Sequence, residues 1–472
     1  MRALAKAFVA LGVVIAGCAS HPAAVRAPVS ASAKPDAKEA AKVEVAVAQD
    51  EPEKPACPPI DEALLVPPAC EDAIVRVPVP PIVDAQGSLA HFHERLAARA
   101  RGEQVQIRIA LYGDSNAQAD MMTGHMRRVL QGRFGDAGHG FVVLGYPKGW
   151  YGHQDVRRGA SWKVFRNIQV SNDLVTDGNY GFANIASETM SPGARAWVAT
   201  AREGAVGTRA SRFDVFYFRR PNGGSFDIVA DGTVVRTIPT RADAFEAGIE
   251  RITLEDGPHE VALLSRGHGP VRWTGIALER DVPGVIVDAL GTGAMNIGHM
   301  TWVKSATRRP MLEKRAYDLV IVHLGTAQGV LSEHKEWAKT VIAELRAALP
   351  DVSILFLTPP DLLIERTGPT SDPRIAVVSK QIEELANEAG VAFWDYRAAM
   401  GGSGSMLGFM QKKLAWTDAV HLANKGHQLM GDRLMRALLE DNARFRREHP
   451  EAGCSAPPAH SSSSHAKDSE PM

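Results

Sequence analysis

The sequence predicts an α/β domain, a parallel sheet between two helical layers, interrupted by an inserted β-sandwich. Three observations carry this. A period-two apolar run from Ile107 to Tyr112 ends abruptly in Gly113-Asp114-Ser115. Met122, Met126, Val129, Leu130 and Phe134 then recur at helical spacing, which reads as strand, turn and helix. After residue 284, short apolar runs typical of strands buried on both faces alternate with helical patterns. Between these two parts, from about 150 to 283, short strands succeed one another without helices.

The 472 residues are 45% hydrophobic and 23% charged with a formal net charge of -1, a globular composition long enough for more than one domain. No basic excess is present to hold nucleic acid. Residues 1–18 carry Arg2 and Lys6, an apolar run from Ala7 to Ala16, and the ending Ile15-Ala16-Gly17-Cys18. That run is too short for a permanent bilayer span and reads as an export signal. Its ending resembles the bacterial lipobox, which implies lipidation of Cys18 and attachment to a membrane surface. Ala19 and Ser20 lack the Asp that retains enteric lipoproteins in the inner membrane. The resemblance therefore points to the outer membrane of a Gram-negative envelope, facing the periplasm.

Residues 19–70 form a linker, Ala-, Pro-, Lys- and Glu-rich up to about 56, with Cys57 and Cys70 placed to close a short disulfide loop in an oxidising compartment. The α/β domain is expected over 71–149 and 284–449, the sandwich over 150–283, and a disordered tail over 450–472 holding the leftover Cys454. His460 and His465 in that tail are too sparse for a metal site, and neither metal nor cofactor is expected. The sequence carries no signal for an oligomeric state.

Val285–Leu290, Leu319–Leu324, Ser353–Leu357 and Val391–Trp394 are the later strands of the α/β part. Helical patterns run through Trp337, Val341, Ile342, Leu345 and Ala348, and through Val378, Ile382, Leu385 and Ala389. In the insertion, strands are expected at 213–218, 225–230, 233–238, 260–264 and 271–278, separated by turn signals such as Asn222-Gly223 and Asp231-Gly232. Trp150, Tyr151, Trp162 and Trp197, if exposed, could stack on pyranose faces; the alternative is that they fill the sandwich core.

Ser115 ends a strand where open α/β sheets place their chemistry, and an N–H at the start of the following helix could face an oxyanion. Asp418-Ala-Val-His421 precedes a last helix carrying Met430, Leu434 and Leu438, so Asp418 can orient His421 and His421 can take the Ser115 proton. With Gly113-Asp114-Ser115 as first block and Asp418-x-x-His421 as last, the chain resembles the SGNH (GDSL) hydrolase superfamily. Asp288-Ala-Leu-Gly291-Thr-Gly293-Ala294 is similar to its second block, which implies Gly293, or failing it Gly291, as backbone oxyanion donor beside Ser115. Phe134-Gly-Asp-Ala-Gly-His-Gly140, the insertion and Asp395-Tyr-Arg-Ala-Ala-Met-Gly-Gly402 resemble bacterial cell-envelope O-acetylesterases acting on peptidoglycan. The resemblance implies a flavodoxin-like three-layer fold and an acetylated glycan substrate.

One departure falls on chemistry. The third block should read Gly-x-Asn with a side-chain donor to the oxyanion, but here it is Gly325-Thr326-Ala327-Gln328. Loss of one donor costs about 10²–10³ in rate. Gln328 and Asn116 are the candidate substitutes. The expectation is a lipid-anchored serine esterase deacetylating an envelope glycan. The competing readings are an O-acetyltransferase using the same acyl-enzyme and a glycan-binding lipoprotein that has lost turnover through Ala327.

Overall fold

The parallel sheet is built from β1 (Gln106–Gly113), β13 (Gly284–Gly291), β14 (Leu319–His323), β15 (Ser353–Leu357) and β16 (Ala392–Trp394), in the spatial order β13-β1-β14-β15-β16. The computed structural model describes residues 57–69, 75–146, 151–171, 176–330, 332–366 and 368–454. Cys18, the tether to residue 56, Cys70, Trp150, His460 and His465 lie outside these residues. Gly113 is level with Gly291 on one side and His323 on the other, so the strands end together and their following loops share one edge.

Side chains alternate across this sheet, and both faces are covered. Ile107, Ile109, Leu111, Leu319, Ile321 and Leu355 pack under α1 (Ala90–Ala100), α2 (Met121–Phe134) and, toward the end of the chain, α9 (Asn424–Glu448). Ala110, Tyr112, Val320, Val322, Ile354 and Phe356 face the other way, into a core shared with α3 (Ile297–Met300), α4 (Ser305–Arg315), α5 (His334–Ala348) and α6 (Pro373–Ala389). Two short helices, α7 (Tyr396–Met400) and α8 (Ser405–Gln411), precede the segment carrying Asp418. The pattern reading anticipated β13 to β16 closely. It missed α1, whose apolar residues Phe92 and Leu96 are interleaved with His93, Arg95 and Arg99.

The insertion holds two antiparallel sheets. One is formed by β4 (Arg166–Gln169), β5 (Ile185–Thr189), β7 (Ala210–Arg219), β10 (Glu246–Gly257) and β12 (Val271–Glu279), with β2 (Gly140–Val143) also paired to β12. The other contains β3 (Val156–Ala160), β6 (Arg195–Thr200), β8 (Ser225–Ala230), β9 (Thr233–Pro239) and β11 (Glu260–Gly267). Phe213, Val215 and Trp273 from the first sheet meet Phe226, Ile228 and Leu263 from the second in their common core. Asp231 and Gly232, both at positive φ, make the tight turn between β8 and β9.

One expected boundary shifts. The added sheets begin at Gly140 rather than 150, because β2 lies beside β12. The outer face of the first antiparallel sheet, through Phe141, Phe216, Phe218 and Ala277, packs into the α/β core itself. The insertion is therefore wedged against the parallel-sheet domain and shares its apolar interior.

The expected Cys57–Cys70 loop is corrected. Cys57 is bonded to Cys454, with their Cα atoms 5.6 Å apart. Local contacts bring them together: Asp61 N–H donates to Ala100 O at 2.8 Å, and Arg446 from α9 reaches both carboxylate oxygens of Glu62 at 2.6 and 3.0 Å. Arg101 donates to the carbonyls of Ala452 and Pro450. Residues 57–69 and 450–454, expected as linker and tail, thus belong to the folded body. Tyr151 is likewise buried, 3% exposed, with its hydroxyl 2.9 Å from His153. Trp162 and Trp197 are half-buried, with Arg158 over the ring of one and Arg195 over the ring of the other.

Candidate active site

The Ser115 loop is made by close backbone approaches. A Cβ on Gly113 would lie 2.4 Å from Ala117 Cβ, and one on Gly291 would lie 2.3 Å from the Ala117 carbonyl carbon. Only glycine at both positions lets the loop fold down over the ends of β1 and β13. Asp114 is buried beneath it, and its carboxylate accepts from Asn116 N–H at 3.0 Å and Thr326 N–H at 3.2 Å. Burial pushes the Asp114 carboxyl up, against those two hydrogen bonds. The loop differs from expectation in one respect. α2 begins at Met121, not directly after Ser115, so the Ser115 amide belongs to a turn and not to a helix start.

Ser115 Oγ lies 2.7 Å from His421 Nε2, and His421 Nδ1 lies 2.8 Å from Asp418 Oδ2. The other Asp418 oxygen accepts from the N–H groups of Val420 and His421 at 2.9 and 3.0 Å, which closes the Asp418–His421 turn. Ala419 inside this turn sits at φ 65° and is buried, a left-handed conformation held by the surrounding structure. Partial burial would raise the Asp418 carboxyl, but hydrogen bonds from the His421 backbone and ring and from Val420 outweigh it and hold Asp418 below its ordinary range. An ionised Asp418 fixes Nδ1 of His421 as donor and leaves Nε2 to accept from Ser115.

Beneath His421 lie two histidines that the sequence reading passed over. His427 on α9 is pushed down to about 3 by burial and by the neighbouring His323 and His421. His323, at the end of β14 with its ring 4.4 Å from that of Tyr396, is pushed down to about 4 by burial. Both are neutral at physiological pH, so the catalytic candidate is the histidine nearest solvent.

The oxyanion candidates separate clearly. Thr292 N–H donates to Gly113 O at 2.9 Å, and Met295 N–H to Thr292 O at 3.2 Å, so Gly293 and Ala294 are the central residues of a turn beside the Ser115 loop. Among the described residues, no turn or cap backbone hydrogen bond uses the Ser115 or Gly293 amide N–H. Gly291 instead serves the close approach to Ala117. Ala327 is exposed and offers only a methyl group. Gln328 is buried and lines a small apolar cavity with Ile297, Val322, Leu324 and Phe356, a lining that contains none of Ser115, Asp418 and His421. The Asn116 amide is committed elsewhere: its nitrogen donates to Val420 O at 3.3 Å and its oxygen accepts from Leu422 N–H at 3.1 Å. Asn116 ties the nucleophile loop to both neighbours of His421, and so acts on the geometry of the pair.

One side-chain group among the described residues has metal-ligand chemistry, Asp120 with His139 and His153. The Asp120 oxygens already take four hydrogen bonds, two from Arg127 and one each from Thr123 and Gln154 N–H. That fills the lone-pair directions of a carboxylate. The buried Arg127 cation beside them opposes a second positive charge, so the group fits a structural role joining α2 to the insertion.

Among the described residues, two tryptophans outside the sandwich are more than half exposed. Trp416 is 54% exposed, and its backbone N–H donates to His421 O at 2.8 Å. Trp302, 51% exposed, follows the Gly293 turn by nine residues and stacks edge-on against His299. The sequence reading looked for stacking faces only among the insertion's aromatics, with the sandwich core as their alternative place. The sequence signal for Trp416 was its nearness to Asp418 and His421.

No protein-family model matches the sequence, and no curated protein does. Solved structures do. A structure described as a peptidoglycan O-acetylesterase in action superposes with a TM-score of 0.65 at 22% identity, covering 77% of this chain and 99% of that one. A family two carbohydrate esterase from Clostridium thermocellum in complex with cellohexaose matches at a TM-score of 0.26 and 12% identity, covering 61% and 99%. A family two carbohydrate esterase from Cellvibrio japonicus gives 0.23 and 10%, covering 61% and 98%. The fold of this chain is that of the peptidoglycan O-acetylesterase structure, a three-layer α/β domain with added antiparallel sheets.

Proposed function

We propose that the chain is an exported serine esterase that removes O-acetyl groups from a cell-envelope glycan such as peptidoglycan, held at the membrane by lipid on Cys18. The observation that carries this is the hydrogen-bonded line from Ser115 through His421 to Asp418 at the carboxyl edge of the sheet. His421 takes the Ser115 proton as Oγ attacks the acetyl carbonyl, and the amides of Ser115 and Gly293 receive the oxyanion. Collapse breaks the ester C–O bond, and His421 returns the proton to the departing sugar oxygen. A water molecule deprotonated by His421 then attacks acetyl-Ser115 and releases acetate. No step uses a metal or a cofactor.

Several features support a polymeric glycan. Ser115 and His421 are both partly exposed, so a long chain can lie across them without threading a tunnel. Trp416 and Trp302 offer flat apolar faces on loops of the same edge. The name of the structure sharing this fold points the same way. Export is supported by the Cys57–Cys454 bond, which suits an oxidising compartment. Among the described residues no helix is long and apolar enough to cross a membrane.

The test is acetate release from O-acetylated peptidoglycan by the full chain. Ser115→Ala should lower it by about 10⁴-fold or more. Equal release by the two proteins would sink the reading.

A further inference from the structure

The turn proposed to receive the oxyanion is held by side chains from the insertion. Gly293 O accepts two hydrogen bonds, from Ser171 Oγ at 2.5 Å and from Gln169 Nε2 at 3.1 Å. Gln169 stands at the end of β4, and its amide is fully engaged. Its nitrogen also donates to Ser171 Oγ at 2.7 Å, and its oxygen accepts from the Tyr146 hydroxyl. Gln118, three residues beyond Ser115, closes the circuit. Its side chain lies beside the Tyr146 hydroxyl, and its Oε1 would lie 2.8 Å from a Cβ on Gly293. One polar network therefore joins the inserted sheets to the turn, which the bond from Thr292 N–H to Gly113 O fastens to the start of the nucleophile loop.

The turn needs this support. Ala294 occupies its third position at φ 57°, the arrangement of a type II turn, which normally calls for glycine there. A left-handed alanine is strained by its Cβ, and flipping the peptide between Gly293 and Ala294 would relieve it. That peptide is the one whose carbonyl Gln169 and Ser171 hold. Two donors on one oxygen oppose the flip and hold Gly293, whose own N–H belongs to the preceding peptide, in one backbone conformation.

We propose that Gln169 and Ser171, braced by Tyr146, are positioning residues for ester cleavage, so that the insertion is a working part of the active site. This rests on the reading of Gly293 as an oxyanion donor. A module that only bound glycan would leave turnover of a small ester untouched, because such a substrate makes no contact with it.

The experiment is steady-state hydrolysis of p-nitrophenyl acetate by the full chain, by Ser115→Ala, by Gln169→Ala/Ser171→Ala, and by the milder Tyr146→Phe and Ser171→Thr. Melting temperature and hydrogen exchange of residues 291–296 are measured alongside. We expect the double variant to lose about 10–100-fold in kcat with KM within about twofold, since a small misplacement of a transition-state donor acts on kcat. Tyr146→Phe should show a smaller kcat loss, and Ser171→Thr, which keeps the hydroxyl, should restore the wild-type rate. Exchange in the turn should quicken in the double variant without a matching fall in melting temperature. If wild type shows Ser115-dependent turnover and the double variant keeps its kcat, the esterase reading stands and the positioning role is overturned. If the double variant unfolds, Tyr146→Phe decides: an unchanged kcat overturns the role. If wild type and Ser115→Ala are equally inactive, both readings fall together.

Discussion

Acidifying the solution from pH 8 to pH 5 should strip this fold of most of its stability, and buried histidines set the size of the loss. His153 and His427 are pushed down to about 3 and His323 to about 4, in each case chiefly by burial. His139 is displaced in the same direction for the same reason. In the folded chain these rings stay neutral at pH 5, whereas in the unfolded chain they bind protons below about 6.5. The unfolded state therefore holds more protons in this window, and stability falls as pH falls. At pH 5 the unfolded pKa lies about 1.5 units above the solution, worth about 2 kcal/mol per ring, or about 6 kcal/mol for the three with values. That is comparable to the whole stability of a typical domain. Carboxylates held low by partners, such as Asp256 at about 2, add their own loss only below about pH 4, so the histidine window stands alone above it. Urea unfolding followed by circular dichroism at pH 8, 6.5 and 5 measures the effect. His427→Gln, which cannot titrate, should flatten the slope by about 1.4 kcal/mol per pH unit near pH 5. An unfolding free energy that stays level from pH 7.5 to 5 would refute the claim that these rings are buried and neutral.

Three further outcomes are expected. Ala327→Asn would add a side-chain donor on the loop whose Thr326 N–H already bonds Asp114; it should raise kcat tenfold or more with KM unchanged, and a folded variant no faster than wild type would remove Ala327 from the oxyanion site. Cys454→Ser, or reductant on the wild type, should lower the urea midpoint, with an upper limit near 6 kcal/mol from the entropy of closing a loop with a separation of 397 residues; reductant should then do nothing further to the variant, and an unaltered midpoint would contradict the pairing. Cys18→Ser should abolish lipid labelling and release the chain from membranes, and persistent membrane association would sink the proposed anchor.

What could be read from the sequence were features with a local signature. The four later strands are short apolar runs because both faces are buried, and Gly113-Asp114-Ser115 and Asp418-x-x-His421 are fixed spacings within single loops. What escaped depends on contacts distant in sequence. The partner of Cys57 follows from how residues 57–69 dock beside α9, which no spacing encodes. β2 reads as the end of the first α/β unit until β12, some 130 residues later, is seen beside it. Asn116 resembled a spare donor because its neighbour is Ser115, yet its amide is spent across 304 residues on Val420. Gln169 and Ser171 carry no motif at all. Their meaning lies in one carbonyl oxygen 124 and 122 residues away.

The Cys57–Cys454 bond has a mechanical side. If a tether pulls on the domain, tension arrives along the chain at residue 57. Without the bond it would peel residues 57–69 outward one contact at a time, the weakest way to load a fold. With it, tension passes through a covalent link to Cys454, in the turn that follows the 25-residue helix α9, whose inward face is locked under the parallel sheet. Load is then borne in shear along a whole helix, and the segment between Cys57 and α1 stays slack. Stretching single molecules from the N-terminus should release that segment as an early, low-force step only after reduction; the same step in the oxidised protein would show that the bond carries no tension.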